Sequence, residues 1–189
     1  MDPNSPNPAR VAEIDALLPQ TQCMRCGFDG CLPYAEALAA GTTALNRCPP
    51  GGSATIARLA TLLGQPALPL DESCGQETSS LVAWIDPARC IGCARCLPPC
   101  PTDAIIGARR LLHTVLTENC TGCELCLADC PADCIVIRPR VESDGAAPSA
   151  DENRRRYQSH GGRLAQHAHE RAALLAERKR RAGKPFDQP

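Results

Sequence analysis

Residues 90–101 read CIGCARCLPPCP and residues 120–131 read CTGCELCLADCP. The two stretches share four cysteines, a glycine and a closing proline, all displaced by a constant thirty positions. No other feature constrains the fold of this chain so strongly. Thiols crowded this closely are either joined as disulfides or bound to metal, and 14 Cys in 189 residues is a density that fits both uses. The N-terminus, MDPNSPNPARVAEIDALLPQ, has no basic start followed by an apolar core, so it does not read as a secretory signal. No run approaches the roughly 18 apolar residues of a membrane span. The expectation is a cytoplasmic chain with reduced thiols, which favours metal over disulfides.

The spacing says which metal chemistry. C-x2-C-x2-C puts three thiolates on one tight turn, facing three corners of an iron–sulfide cube. With x3-C-P it forms the bacterial ferredoxin signature, whose fourth cysteine serves the other cluster. On that rule Cys90, Cys93, Cys96 and Cys130 hold one 4Fe–4S cluster, and Cys100, Cys120, Cys123 and Cys126 hold a second. Gly92 and Gly122 clear a side chain where backbone must approach the cluster, and Pro101 and Pro131 fix the angle at which the chain leaves it. Zinc sites more often use separated C-x2–4-C pairs. Sliding the chain by thirty also places Asp103 on Asp133 and Ile105 on Ile135, so each half is one loop plus a strand about a pseudo-twofold axis. The same slide sets Cys134 on Ala104, which reads Cys134 as a small buried apolar residue rather than a ligand.

Punctuation and charge organise the rest. Val11, Ile14, Leu17 and Leu18 recur at helical spacing, and Pro19 ends that helix. A second helix is expected after Pro33 through Tyr34, Ala37 and Leu38 to Gly41. A third is expected from Ser53 as N-cap through Ile56, Leu59 and Leu63 to Gly64. Short β-type runs, LVAWI (81–85), LLHTVL (111–116) and CIVI (134–137), surround the thiol loops. The expected fold is α+β. A small α-helical four-cysteine module covers 1–63, and a linker by its Pro, Gly and Ser content covers 64–80. A ferredoxin-like module with two 4Fe–4S clusters covers 81–140, and a polar, partly helical, flexible tail covers 141–189. Residues 1–140 carry 10 basic and 14 acidic groups and residues 141–189 carry 10 and 7, so the net charge of −1 conceals a basic tail.

The four-cysteine module rests on QCMRCGFDGCLPYAEALAAGTTALNRCPPGG, where Cys23, Cys26 and Cys31 form C-x2-C-x4-C and Cys48 follows with a proline behind it. Spacing alone leaves an iron–sulfur cluster and a zinc ion both open here. The stretches LLPQTQCMRCGFDGCLPYAEALA, NRCPPGG and IDPARCIGCARCLPPCPTDAIIGARRLLHTVLTENCTGCELCLADCPADCI together resemble the RnfB (RsxB) subunit of Rnf-type electron transport complexes. They lie within residues 17–135. The resemblance implies a third 4Fe–4S cluster at Cys23, Cys26, Cys31 and Cys48. It also implies electron relay among redox subunits at the cytoplasmic face of a membrane complex. That family usually begins with a hydrophobic anchoring helix, which this sequence lacks, so a soluble relative with peripheral membrane association is the expectation.

Other residues carry weaker signals. Cys74 reads as a free thiol in the linker and His113 as a satisfied structural histidine. His167 and His169, two apart, point to different faces of a helix and make a poor metal pair. Arg154 to Arg156 and the run RKRR (178–181) read as a solvated or docking tail. No aromatic interleaving supports nucleic-acid stacking, and no GxGxxG or P-loop suggests a nucleotide. No catalytic acid, base or nucleophile is evident. The reading is an iron–sulfur electron carrier with redox protein partners. The competing class is an iron–sulfur sensor whose tail binds nucleic acid or a regulator.

Overall fold

A computed structural model describes residues 6–78 and 80–182. Its N-terminal part is built of α1 (Pro8–Leu17), α2 (Cys31–Ala39) and α3 (Gly52–Leu63). Asn7 starts α1 by accepting from the Ala9 N–H at 3.0 Å, with Pro8 in the first turn, where its missing N–H costs nothing. Val11 and Ile14 of α1, Tyr34 and Leu38 of α2 and Ile56 and Leu59 of α3 meet in one core that also takes in Cys26, Cys31 and Cys48. Gly64 ends α3 in the left-handed conformation, at φ 65°, as its place in the sequence suggests. The start of α3 differs from expectation. Gly51 rather than Ser53 is the N-cap, and the Ser53 N–H donates 2.9 Å to the carboxylate of Glu77. A cap drawn from 24 residues away leaves no local pattern to read.

Residues 64–80 run along this core. Asn46 donates to the Pro69 carbonyl at 2.6 Å, the Asp71 N–H donates to the Asn46 carbonyl at 2.9 Å, and a short 3-10 turn over Glu72–Cys74 buries Cys74.

The next part folds as a repeat. β1 (Leu81–Ile85) pairs antiparallel with β4 (Ile135–Pro139), from Leu81 opposite Pro139 to Ile85 opposite Ile135. β2 (Ile105–Ile106) pairs antiparallel with β3 (Thr114–Val115). Each two-stranded ribbon joins one end of the repeat to the other, and α4 (Leu125–Ala128) is a single turn inside the second thiol loop. Their shared core is Val82, Ala83, Ile85, Ala104, Ile105 and Ile135 together with the cysteines. Behind β4, Arg138 binds Asp144 through both guanidinium nitrogens, at 2.6 and 2.7 Å. That pair, aided by the Val141 N–H, holds the Asp144 carboxyl down at about 2.

The tail forms α5 (Ala150–Ala182). Its N-terminal part packs on both preceding regions. Arg154 pairs with Asp15 at 2.9 Å and Asn153 donates to the Pro19 carbonyl. His160 contacts Asp103 at 2.8 Å, and Arg163 pairs with the same carboxylate. From Gly161 to Arg181 every side chain is exposed except a half-buried Glu177. Arg25 pairs with Glu124, and Thr121 donates to the Thr21 carbonyl at 3.2 Å, so the two thiol-bearing regions also touch directly. Among the described residues, no helix is long and apolar enough to cross a membrane.

Candidate metal centres

The two repeated loops share a backbone conformation as well as a sequence. Gly92 and Gly122 both have φ 66°, Ala94 and Glu124 have 62° and 67°, and Asp103 and Asp133 have 49° and 46°. Glycine is required at 92 and 122 on two counts. The left-handed φ disfavours a side chain, and a Cβ would stand 2.8 Å from the Leu111 carbonyl oxygen or 2.7 Å from that of Leu81. Leu81 and Leu111 are themselves thirty apart, so the close approach is repeated too.

Loop geometry sends the thiols to two centres rather than to one centre per loop. Cys90, Cys93 and Cys96 line a cavity of about 290 Å³ together with Cys130 from the other loop. Cys120, Cys123 and Cys126 line one of about 320 Å³ together with Cys100. These are the two sets of four that the spacing joins. Backbone N–H groups point at the sulfurs: Ala104 donates to Cys100 Sγ at 3.2 Å, Cys134 to Cys130 Sγ at 3.4 Å and Ala83 to Cys120 Sγ at 3.4 Å. Burial pushes Cys96 and Cys123 up to about 11 and Cys126 up to about 12. Thiols so placed become thiolates only when a cation takes the place of the proton.

The N-terminal thiols sit on a third copy of the loop. Gln22 has φ 55° and Met24 has φ 60°. Left-handed residues thus stand just before and just after Cys23, as Gly92 and Ala94 do around Cys93. A glutamine held in that conformation needs support, and it has it. Gln22 Nε2 donates to Gln20 Oε1 at 2.8 Å, and Gln22 Oε1 accepts from the Cys31 N–H at 2.9 Å. Gln20 in turn donates to the Asp15 carbonyl and carboxylate at 2.8 Å, and Arg154 of α5 closes the chain on Asp15. Burial pushes Cys31 and Cys48 up to about 12, and Cys23 and Cys26 stand near enough to Cys48 to add to its shift. The four N-terminal candidates are therefore one group. Cys74, expected as a linker thiol, is 7% exposed and lies near Cys26 and Arg47. Nothing in its local sequence signals that burial.

Sequence reasoning also missed His113. Its ring is 3% exposed, and Nδ1 stands 3.6 Å from Cys90 Sγ, inside the first thiol cavity. Among the described residues, no three His, Cys, Asp or Glu side chains close on a point as they would around a single metal ion.

Comparison with known proteins agrees with this chemistry. A family described as a 4Fe-4S dicluster domain matches residues 83–137, and one described as a putative Fe-S cluster matches residues 18–50. A protein of Alkalilimnicola ehrlichii is 59% identical over 105 residues, 55% of this chain and 56% of the relative. One of Hahella chejuensis is 55% identical over 106 residues, 56% of this chain and 53% of the relative. One of Pseudomonas aeruginosa is 57% identical over 109 residues, 57% and 56% of the two chains. All three are named as the RnfB-type subunit of an ion-translocating oxidoreductase complex. The chain is an iron–sulfur protein with a small mixed helix-and-strand fold. It spans little more than half the length of the curated relatives it matches. Over the stretch it shares with them, it belongs to the RnfB (RsxB) family of ion-translocating oxidoreductase complexes.

Proposed function

We propose that this chain is a one-electron relay holding three 4Fe–4S clusters. The ligands are Cys23, Cys26, Cys31 and Cys48 for the first, Cys90, Cys93, Cys96 and Cys130 for the second, and Cys100, Cys120, Cys123 and Cys126 for the third. The observation that carries the reading is the exchange of the fourth thiol between the two loops, with Cys130 in the cavity of the first and Cys100 in that of the second. An exchange of this kind fits two cubanes side by side, because it interleaves the loops and brings both centres within reach of electron hopping. The third loop copy at Gln22 to Cys26 supports iron over zinc for the N-terminal module. When bound, the clusters supply the redox chemistry. The protein keeps them apart from water, aims N–H groups at their sulfurs and fixes their spacing.

The partners proposed are redox subunits of the complex for which the relatives are named, reached at the cytoplasmic face of its membrane. The exposed basic stretch of α5 offers Arg171, Arg178, Lys179, Arg180 and Arg181 to an acidic redox protein or an anionic surface, where each charge is worth about 1 kcal/mol. A reductive titration of the anaerobically prepared chain tests the relay reading. About three electrons per chain should be taken up and handed back to a one-electron acceptor. Uptake of two, or none that is reversible, contradicts it.

A further inference from the structure

The thirty-residue repeat pairs more than cysteines. It sets β1 on residues 111–115, so that Ala83 corresponds to His113, and it sets Ala104 on Cys134. Ala83 and Ala104 line the cavity of Cys100, Cys120, Cys123 and Cys126. His113 and Cys134 line that of Cys90, Cys93, Cys96 and Cys130. Both exchanges of a methyl group for a hydrogen-bonding side chain thus fall on the same one of two matching centres. Each side chain touches a sulfur there. His113 Nδ1 is 3.6 Å from Cys90 Sγ, and Cys134 Sγ is 3.4 Å from Cys130 Sγ. His113 Nε2 is buried without a partner, which leaves the ring's Nδ1 contact with Cys90 to account for its place.

We propose that His113 and Cys134 raise the reduction potential of the centre at Cys90, Cys93, Cys96 and Cys130 above that of its twin, giving electrons a downhill direction across the dicluster module. The inference rests on the ligand sets proposed above. An iron-bound thiolate has no proton to give, so Cys90 and Cys130 only accept, and the protons sit on Nδ1 of His113 and on Sγ of Cys134. In this tautomer Nε2 carries no proton, as its lack of an acceptor requires. Reduction adds negative charge that spreads onto the thiolate sulfurs. A donor aimed at those sulfurs favours the reduced state over the oxidised one. The Cys134 N–H to Cys130 repeats the Ala104 N–H to Cys100, so that backbone bond is common to both centres and the side chains make the difference. Transfer between the centres moves one electron and no proton.

The test is an EPR-monitored potentiometric titration of the full-length chain, with iron assayed on the same samples. The two dicluster waves are identified by their mutual spin coupling. In the double variant His113→Ala, Cys134→Ala, the upper wave should fall and close on the lower one. The reduced-to-oxidised ratio at fixed potential should drop by at least about tenfold, or about 59 mV for a one-electron couple. His113→Asn, which keeps a donor near the Nδ1 position, should recover part of the shift. Ala104→Cys adds a thiol to the twin centre and should raise the lower wave instead. An unchanged gap with full iron overturns the inference and leaves the relay reading standing. Loss of one cluster's iron in the double variant also overturns it, assigning these side chains to assembly. Absence of iron from both wild-type centres is the separate failure of the ligand sets themselves.

Discussion

The loop at Cys23 and Cys26 and the loops at Cys93 and Cys123 share a pattern of backbone conformation built from different sequences. In the dicluster module glycine supplies the left-handed residue before the second cysteine of each motif, and neighbouring backbone lies too close for any Cβ. In the N-terminal module Gln22 supplies it, held by Gln20, the Cys31 N–H and, through Asp15, Arg154 of α5. One module relies on local conformational freedom. The other relies on a buried hydrogen-bond chain that reaches residue 154. The lesson is that the first kind of loop is complete in eleven residues, whereas the second is complete only when a helix from the other end of the chain is in place.

The largest effect that sharpens this contrast comes from the crossed ligands. Cys130→Ala should remove about four of twelve iron atoms, from the centre of the other loop, since each cubane holds four. Cys134→Ala and Cys74→Ala should leave iron nearly unchanged. If Cys134→Ala costs a cluster, the ligand set containing Cys130 is wrong.

Next in size are the two left-handed positions. Gly92→Ala should destabilise the dicluster module by about 2–4 kcal/mol, summing a left-handed side chain and overlap with backbone. Gln22→Ala should cost the N-terminal module about 1–3 kcal/mol through lost buried hydrogen bonds. Gln22→Gly should recover only the backbone part. Denaturant unfolding monitored by cluster absorbance separates them. Equal stability of Gln22→Gly and wild type would show that the side-chain chain of contacts is incidental.

Smaller still is the reach of α5. Arg154→Ala should lower the N-terminal module's stability by about 1–2 kcal/mol, as expected for a hydrogen bond to a charged group. Truncation after Arg163 should leave iron and stability as they were. Truncation after Arg140 should keep all iron in the dicluster module but loosen the N-terminal cluster, seen as faster iron loss to a chelator. Equal chelation rates in both truncations would break the link between Gln22 and the tail.

The smallest effect is expected at Asp144. Its carboxyl is lowered, first by Arg138 and then by the Val141 N–H, so its contribution is complete at pH 7 and fades only as pH falls toward 2. Asp144→Asn should lower the urea midpoint at pH 7, and by the same amount at pH 6. A loss that changes between those values belongs to another group.

The dicluster half was legible because the information is local. Constant spacing, glycine and proline fix the loops, and LVAWI and CIVI become β1 and β4 because alternate residues such as Val82 and Ile135 are buried. The α1 and α3 ends followed from Pro8 and Gly64 for the same reason. What escaped the sequence is long-range. The Glu77 cap on α3, the burial of Cys74, the docking of Arg154 and His160 and the contact of His113 with Cys90 each join residues more than twenty positions apart or depend on tertiary packing. His113 carried one usable sign, its correspondence to Ala83 in the thirty-residue slide. That sign gains meaning only once both residues are seen to line cluster cavities.

The central claim is that three copies of one loop conformation hold three clusters of one kind. Metal and acid-labile sulfide counted on anaerobically purified chain test it most directly. Three clusters of this kind predict about 12 iron and 12 sulfide per chain and no zinc. About 8 of each with one zinc would mean that the Gln22 loop, for all its likeness to the other two, holds a different metal.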